Sequence, residues 1–114
     1  MLQGTIELLV LKRLLQGPMH GYGIATWIES ATDEVLRVEE GSLYPALYRM
    51  VQKRWIKGEW GLSENNRRAK FYRLTRAGER EFEAQANGWL PLSHAVSRAV
   101  TASNRPGGER SDER

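Results

Sequence analysis

The sequence predicts a mainly α-helical domain carrying a small antiparallel β-hairpin. Apolar residues recur at helical spacing in three segments before residue 55. The pattern then changes to two short aromatic-rich runs on either side of a polar loop, and a helical pattern resumes after Thr75. A chain of 114 residues with 40% hydrophobic and 27% charged residues suits one globular domain of ordinary size.

The first helix is expected from Thr5 to Gln16. Ile6, Leu9, Val10 and Leu14, with Leu11 and Leu15 one position off, form a broad apolar stripe between a Thr5 cap and a Gly17-Pro18 stop. A second helix, Gly21 to Ala31, buries Tyr22, Ile24, Ala25 and Ile28, but its two glycines make it dependent on tertiary support. Between Thr32 and Gly41, the alternation of Val35, Leu36 and Val38 suggests a short extended piece.

The third helix is expected from Ser42 to about Arg54, capped by Ser42, with Pro45 early enough that its missing N–H costs no helical bond. Leu43, Leu47 and Met50 then stack on the buried side, leaving Tyr44, Pro45, Tyr48, Arg49 and Gln52 on the outer face. That face is unusually aromatic for one bathed in water.

Trp55 to Leu62 and Lys70 to Thr75 read as the strands of a hairpin with a Ser63 to Ala69 tip. Arg67, Arg68, Lys70, Arg73 and Arg76 place five cations within ten residues there. Trp27, Trp55 and Trp60 adjoin apolar runs and are expected in the core. Thr75 caps a last helix with Phe82, Trp89 and Val96 at heptad intervals and Gln85, Leu92 and Ala99 between them. Pro91 removes a bond in its middle, so the helix is expected to be kinked or broken near Trp89. The expected division is 1–75 for the compact domain, 76–101 for the C-terminal helix and 102–114 for a disordered tail with almost nothing to bury.

Composition removes several function classes. Without cysteine there is no disulfide framework, thiolate nucleophile or zinc finger, and His20 with His94 cannot complete a metal shell. Reducing cytoplasm fits that usage. No stretch approaches the roughly 20 apolar residues of a membrane span, and Glu7 and Lys12 interrupt the opening apolar run, which does not read as a secretory signal. Nucleophile elbows, phosphate-cradling glycine loops and paired-carboxylate sites have no counterpart, so no catalytic residue, metal or cofactor is expected. His20 reads as a capping or turn residue and His94 as a surface or interface residue.

Three helices and a basic hairpin, in that order, are the arrangement of a winged helix-turn-helix. In such a fold the third helix enters the major groove and the wing reaches flanking phosphates or the minor groove. The net charge of +3 is mild, but affinity depends on local phosphate contacts rather than on the sum. Arg67, Arg68 and Lys70 have no acidic neighbour closer than Glu64 and read as phosphate partners, whereas Arg49 or Gln52 suits a base edge. Tyr22 suits either packing on the third helix or a phosphate contact through its hydroxyl.

Four fragments resemble the PadR family of transcriptional regulators. They are Leu8-Leu9-Val10-Leu11, Gly17 to Ile24 (GPMHGYGI), Gly41 to Leu47 (GSLYPAL) and Arg68 to Gly78 (RAKFYRLTRAG), all in the family's order. The resemblance covers residues 5 to about 100. It implies an N-terminal winged helix-turn-helix with a single C-terminal dimerisation helix, in a cytoplasmic, homodimeric and mostly repressive protein acting on double-stranded DNA with a palindromic operator. By matching position it implies that Tyr22, Ser42, Tyr44, Pro45, Arg49 and Lys70 face DNA, beside the Tyr48, Arg67 and Arg68 read from the residues themselves. Phe82, Trp89, Leu92, Val96 and Ala99 would form the dimer interface. Trp89 matches a tryptophan that, in multidrug-sensing members, stacks on flat ligands, which implies a planar aromatic or phenolic effector. The chain departs from the family at Gly88 and Pro91, where members continue a straight helix. A winged-helix module that binds a protein partner through Tyr44, Tyr48 and Arg49 is the competing reading.

Overall fold

The computed structural model describes residues 2–103, with Leu2 and Gln3 described through their backbone alone. Its elements are α1 (Leu2–Leu14), β1 (Met19–His20), α2 (Gly21–Ala31), α3 (Glu40–Gln52), β2 (Ile56–Leu62), β3 (Arg68–Leu74) and α4 (Arg76–Thr101). This is a mainly α-helical winged helix-turn-helix followed by a long C-terminal helix. Ile6, Val10, Leu11 and Leu14 of α1 meet Ile24 and Ile28 of α2 and Leu43, Ala46, Leu47 and Met50 of α3, while Ile56 and Tyr72 close the core from the sheet. Each large aliphatic side chain removed from water there stabilises the fold by about 1.5–3 kcal/mol.

The helical spacing in the sequence finds the right faces more reliably than the right ends. Helix α1 begins at Leu2, so Thr5 lies inside it instead of capping it, and Leu15 falls in the following turn and is exposed. Helix α2 has the expected bounds, and His20 caps it, its Nδ1 accepting from the Gly23 amide at 3.0 Å. The connector forms no strand. Thr32 Oγ1 donates to the Ile28 carbonyl and accepts from the Leu36 amide, which folds the chain back so that Leu36 and Val38 pack on the core and Val35 stays in solvent. The extended segment lies earlier, at Met19–His20, where Met19 pairs with Tyr72 and His20 with Phe71. The sheet therefore has three antiparallel strands in the order β1-β3-β2.

Helix α3 starts two residues before Ser42. Glu39 is its N-cap and makes no side-chain cap bond, so Ser42 sits within the first turn and Pro45 within the second. Pro45 there forgoes the bond that an amide would make to the Gly41 carbonyl. Arg54 ends the helix at φ 64, the left-handed position glycine favours, with Trp55 N donating to the Met50 carbonyl and Arg54 N to that of Val51. In the hairpin, Ile56 pairs with Leu74 and Leu62 with Arg68, which shortens the predicted loop to Ser63–Arg67 and places Arg68 and Ala69 in β3.

Trp27 and Trp55 pack against the core as expected, but Trp60 is 61% exposed. It shares a face with Ile56 yet lies four residues further along β2, about 13 Å out, beyond the end of the core.

Thr75 joins α3's end to α4's start. Its Oγ1 accepts from the Gly78 amide at 3.0 Å and lies 2.7 Å from the Arg54 carbonyl, to which it donates. Helix α4 then runs unbroken through Pro91, contrary to the alternative of two shorter helices. Pro91 and Asn87 are both exposed, so the carbonyl freed by the missing N–H meets water. The helix ends at Thr101, and residues 104–114 of the expected tail lie outside the described residues.

Candidate nucleic-acid interface

Two walls define a cleft of about 570 Å³ between the helices and the wing. His20, Tyr22 and Tyr44 form the helical wall; Trp60, Ser63, Glu64, Asn65, Arg67, Arg68 and Lys70 form the wing side, with Tyr72 also lining it. Tyr22 is 76% exposed, which settles its placement: the ring is not in the core. Tyr44 crosses over Gly21 so closely that a Cβ there would stand 2.5 Å from its hydroxyl oxygen. Glycine at that position is therefore what lets the tyrosine lie against the start of α2. Behind it Tyr72 is buried, and burial, with Tyr44 adding in the same direction, raises its phenol above the ordinary value.

The helical and wing walls approach each other at His20. The Nε2 of His20 faces Glu64 Oε1 at 3.7 Å, and its ring meets Phe71 edge-on with centroids 5.2 Å apart. Across the hairpin, the Arg68 guanidinium carbon stands 4.9 Å from the centre of the Trp60 ring.

Not every predicted residue converges on this cleft. Tyr22, Tyr44, Arg67, Arg68 and Lys70 line it. Ser42, Pro45 and Tyr48 are exposed further along α3, with Tyr48 at 67%. Arg49 is half-buried, and its Nε stands 3.6 Å from the Glu7 carboxylate of α1, which is itself buried. Part of its role is thus to hold α3 against α1 and accompany a charge that would otherwise be costly to bury. The sequence reading missed Trp60, Glu64 and His20 as cleft residues; Glu39 and Glu40, exposed at the head of α3, lie outside that cleft. The strand register, had it been fixed, would have found Trp60, because it sits opposite Lys70.

Helix α4 presents a second surface. Leu90, Leu92, Val96 and Val100 are exposed on it, and Trp89 is 36% exposed; Ala99 is exposed as well. Phe82 differs from the other heptad residues, because it packs on the domain's own core with the Lys12 ammonium 5.7 Å above its ring. Among the described residues there is no cluster of three metal-ligating side chains and no helix long and apolar enough to cross a membrane.

A compact helix-turn-helix, an exposed tyrosine face and a cationic wing across a shared cleft define a winged-helix protein of the DNA-binding class. Residues 10–84 match the model of the transcriptional regulator PadR-like family, and the chain belongs to that family. It is similar to a transcriptional regulator from Clostridium thermocellum, 27% identical, over 88% of this chain and 97% of that one, with a TM-score of 0.77. A PadR-like transcriptional regulator from Bacillus cereus is 28% identical, over 90% and 98% of the two chains, with a TM-score of 0.74. A 37.1 kDa uncharacterized protein in a Streptomyces fradiae transposon is 38% identical over 90 residues, which are 79% of this chain and 24% of that protein. The family and these structural neighbours are regulators of transcription rather than enzymes.

Proposed function

We propose that the chain is a homodimeric, cytoplasmic repressor that grips a palindromic operator, with residues 1–75 binding DNA and residues 76–101 joining the two copies. The observation that carries this reading is the exposure of Tyr22, Tyr44 and Tyr48 beside a wing holding Arg67, Arg68 and Lys70. Aromatic hydroxyls and cations on one surface suit a phosphodiester strand. Phosphate contacts fix register and supply salt-dependent affinity; Ser42, Tyr44, Pro45 and Tyr48 on α3 would face the DNA, and Arg49 or Gln52 would meet a base edge. Two recognition helices would enter successive major grooves about 34–36 Å apart.

The apolar stripe of Trp89, Leu92, Val96 and Ala99 supports the dimer, since a stripe of this kind in water is stabilised by a second copy. Phe82 would contribute at the edge of that interface from its place on the core. A planar aromatic or phenolic effector that stacks on Trp89 and favours one spacing of the two copies would release the operator by shifting the population between them. Quenching of tryptophan fluorescence by such compounds, lost in Trp89→Ala, tests the effector.

The main test is an anisotropy titration of the full chain on duplex DNA. Affinity is expected at low salt and a steep fall as salt rises; affinity that is absent or indifferent to salt would sink the reading. Replacing Arg67, Arg68 and Lys70 together by alanine is expected to abolish or strongly weaken DNA binding. If the surface instead served a protein partner through Tyr44, Tyr48 and Arg49, that replacement would leave partner binding intact.

A further inference from the structure

The outer half of the hairpin carries an arrangement that the phosphate-binding role of the wing does not require. Trp60 and Leu62 are both largely exposed on the face shared with Arg68 and Lys70, beyond the reach of the core. Two large apolar side chains held in water at a cationic tip are a cost unless something covers them. The two cations beside them are not equivalent. Lys70 is opposite Trp60 in the ladder, but its side chain lies back over Gly58, where a Cβ would stand 2.5 Å from its Cε, so its ammonium is directed toward the root of the wing. Arg68 is the cation that sits over the indole, 4.9 Å from the ring centre. Its nearest acidic neighbour on the tip, Glu64, faces His20 instead.

We infer that Trp60 and Arg68 work as one specificity-determining unit, the indole being the positioning residue that holds the guanidinium for entry into the minor groove of A·T-rich DNA flanking each half-site. This rests on the DNA-binding reading above and adds a sequence preference to it. A guanidinium stacked on an aromatic face is less hydrated and has lost part of its rotamer freedom beforehand, so less is lost on insertion. Narrow A·T minor grooves concentrate negative potential and attract arginine more than the wider grooves of other sequences. The apolar ring and Leu62 would then lie against the sugar edges of the groove, which removes them from water. A lysine in place of Arg68 is a compact, strongly hydrated charge and would not substitute.

The test is selection from a random duplex pool with the full chain, followed by sequencing, for the wild type and for Trp60→Ala, Trp60→Phe, Trp60→Leu, Arg68→Ala and Arg68→Lys. The wild type is expected to enrich a central motif flanked by A·T runs. Relative to their own central motif, Arg68→Ala, Arg68→Lys, Trp60→Ala and Trp60→Leu are expected to lose at least about fivefold in flank preference, the low end of what one base pair is worth, and Arg68→Ala, which also removes a wing cation, is expected to bind every duplex more weakly besides. Trp60→Phe, which keeps an aromatic face, is expected to retain most of it. A merely structural role would instead lower binding to every duplex alike. A wild type that enriches the motif without A·T flanks, or a Trp60→Leu variant that keeps them, overturns the inference while leaving the DNA-binding reading in place. Enrichment of no duplex by the wild type overturns both.

Discussion

Helices α3 and α4 each carry an internal proline, Pro45 and Pro91, and each has one apolar and one polar face, yet their apolar faces meet different fates. Leu43, Ala46, Leu47 and Met50 are sealed inside the domain by α1, α2 and the sheet. On α4 only the first turns reach that core, through Phe82, and the residues from Trp89 to Val100 keep their apolar side chains in water. A helix whose inner face is already covered has its outer face free for a partner of another kind, here tyrosines suited to phosphate and bases. A helix whose apolar face is uncovered is stabilised by something equally apolar, which in the proposed assembly is a second copy.

The sharpest way to break this contrast is to charge the open stripe. Leu92→Glu combined with Val96→Glu is expected to give a folded monomer by sedimentation equilibrium. Its affinity for a palindromic site should fall by about 10²- to 10⁴-fold, because the second half-site is no longer bound intramolecularly. A dimer that survives both changes would mean that the stripe is not the joint.

Next in size are changes to the wing that should leave both helices alone. Arg67→Ala with Lys70→Ala is expected to reduce the slope of log affinity against log salt by about 3.6 for the proposed dimer, from about 0.9 for each of the four phosphates, two per copy, that are no longer neutralised. Circular dichroism should report an unchanged fold, since both side chains are exposed.

The junction between the regions gives the third test. Gly78 is buried at the start of α4, where an added Cβ would collide with the Trp55 main-chain carbonyl, an atom that cannot swing aside. Gly78→Ala is expected to destabilise the domain by about 1–3 kcal/mol in chemical denaturation. Arrival at wild-type stability would show that α4 is not seated on the root of the wing as described.

The smallest effect concerns the support beneath α3. Because burial raises the Tyr72 phenol, the folded state holds that proton more tightly than the unfolded chain does. The stability it contributes is present below the unfolded value of about 10 and is lost as pH rises through the folded one. Denaturation midpoints should therefore decline above about pH 10, and Tyr72→Phe should flatten part of that decline.

Much of this is legible in the residues. The pattern of Leu43, Leu47 and Met50 identifies the buried face of α3, and Thr75 identifies the start of α4, because both depend on interactions within one or two turns. What escapes depends on distant partners. Met19 and His20 become a strand only because Phe71 and Tyr72 lie alongside. Trp60 has the period of a core residue, but periodicity identifies a face and not whether anything covers it. Glu39 starts α3 without a side-chain cap bond, so there is no local signal to read. Pro91 suggests a break when its missing bond is weighed alone, whereas the helix on both sides of it retains its own bonds and the freed carbonyl sits in solvent.

The 26 residues of α4 span about 39 Å, and they leave the domain at a base fixed by Thr75 and Gly78. Such a rod works as a long lever: a swing of about 5° at its foot displaces its far end by about 3 Å. Under the proposed pairing of two copies along this rod, a ligand that nudges the shaft would alter the stride between the reading heads without unfolding a single turn.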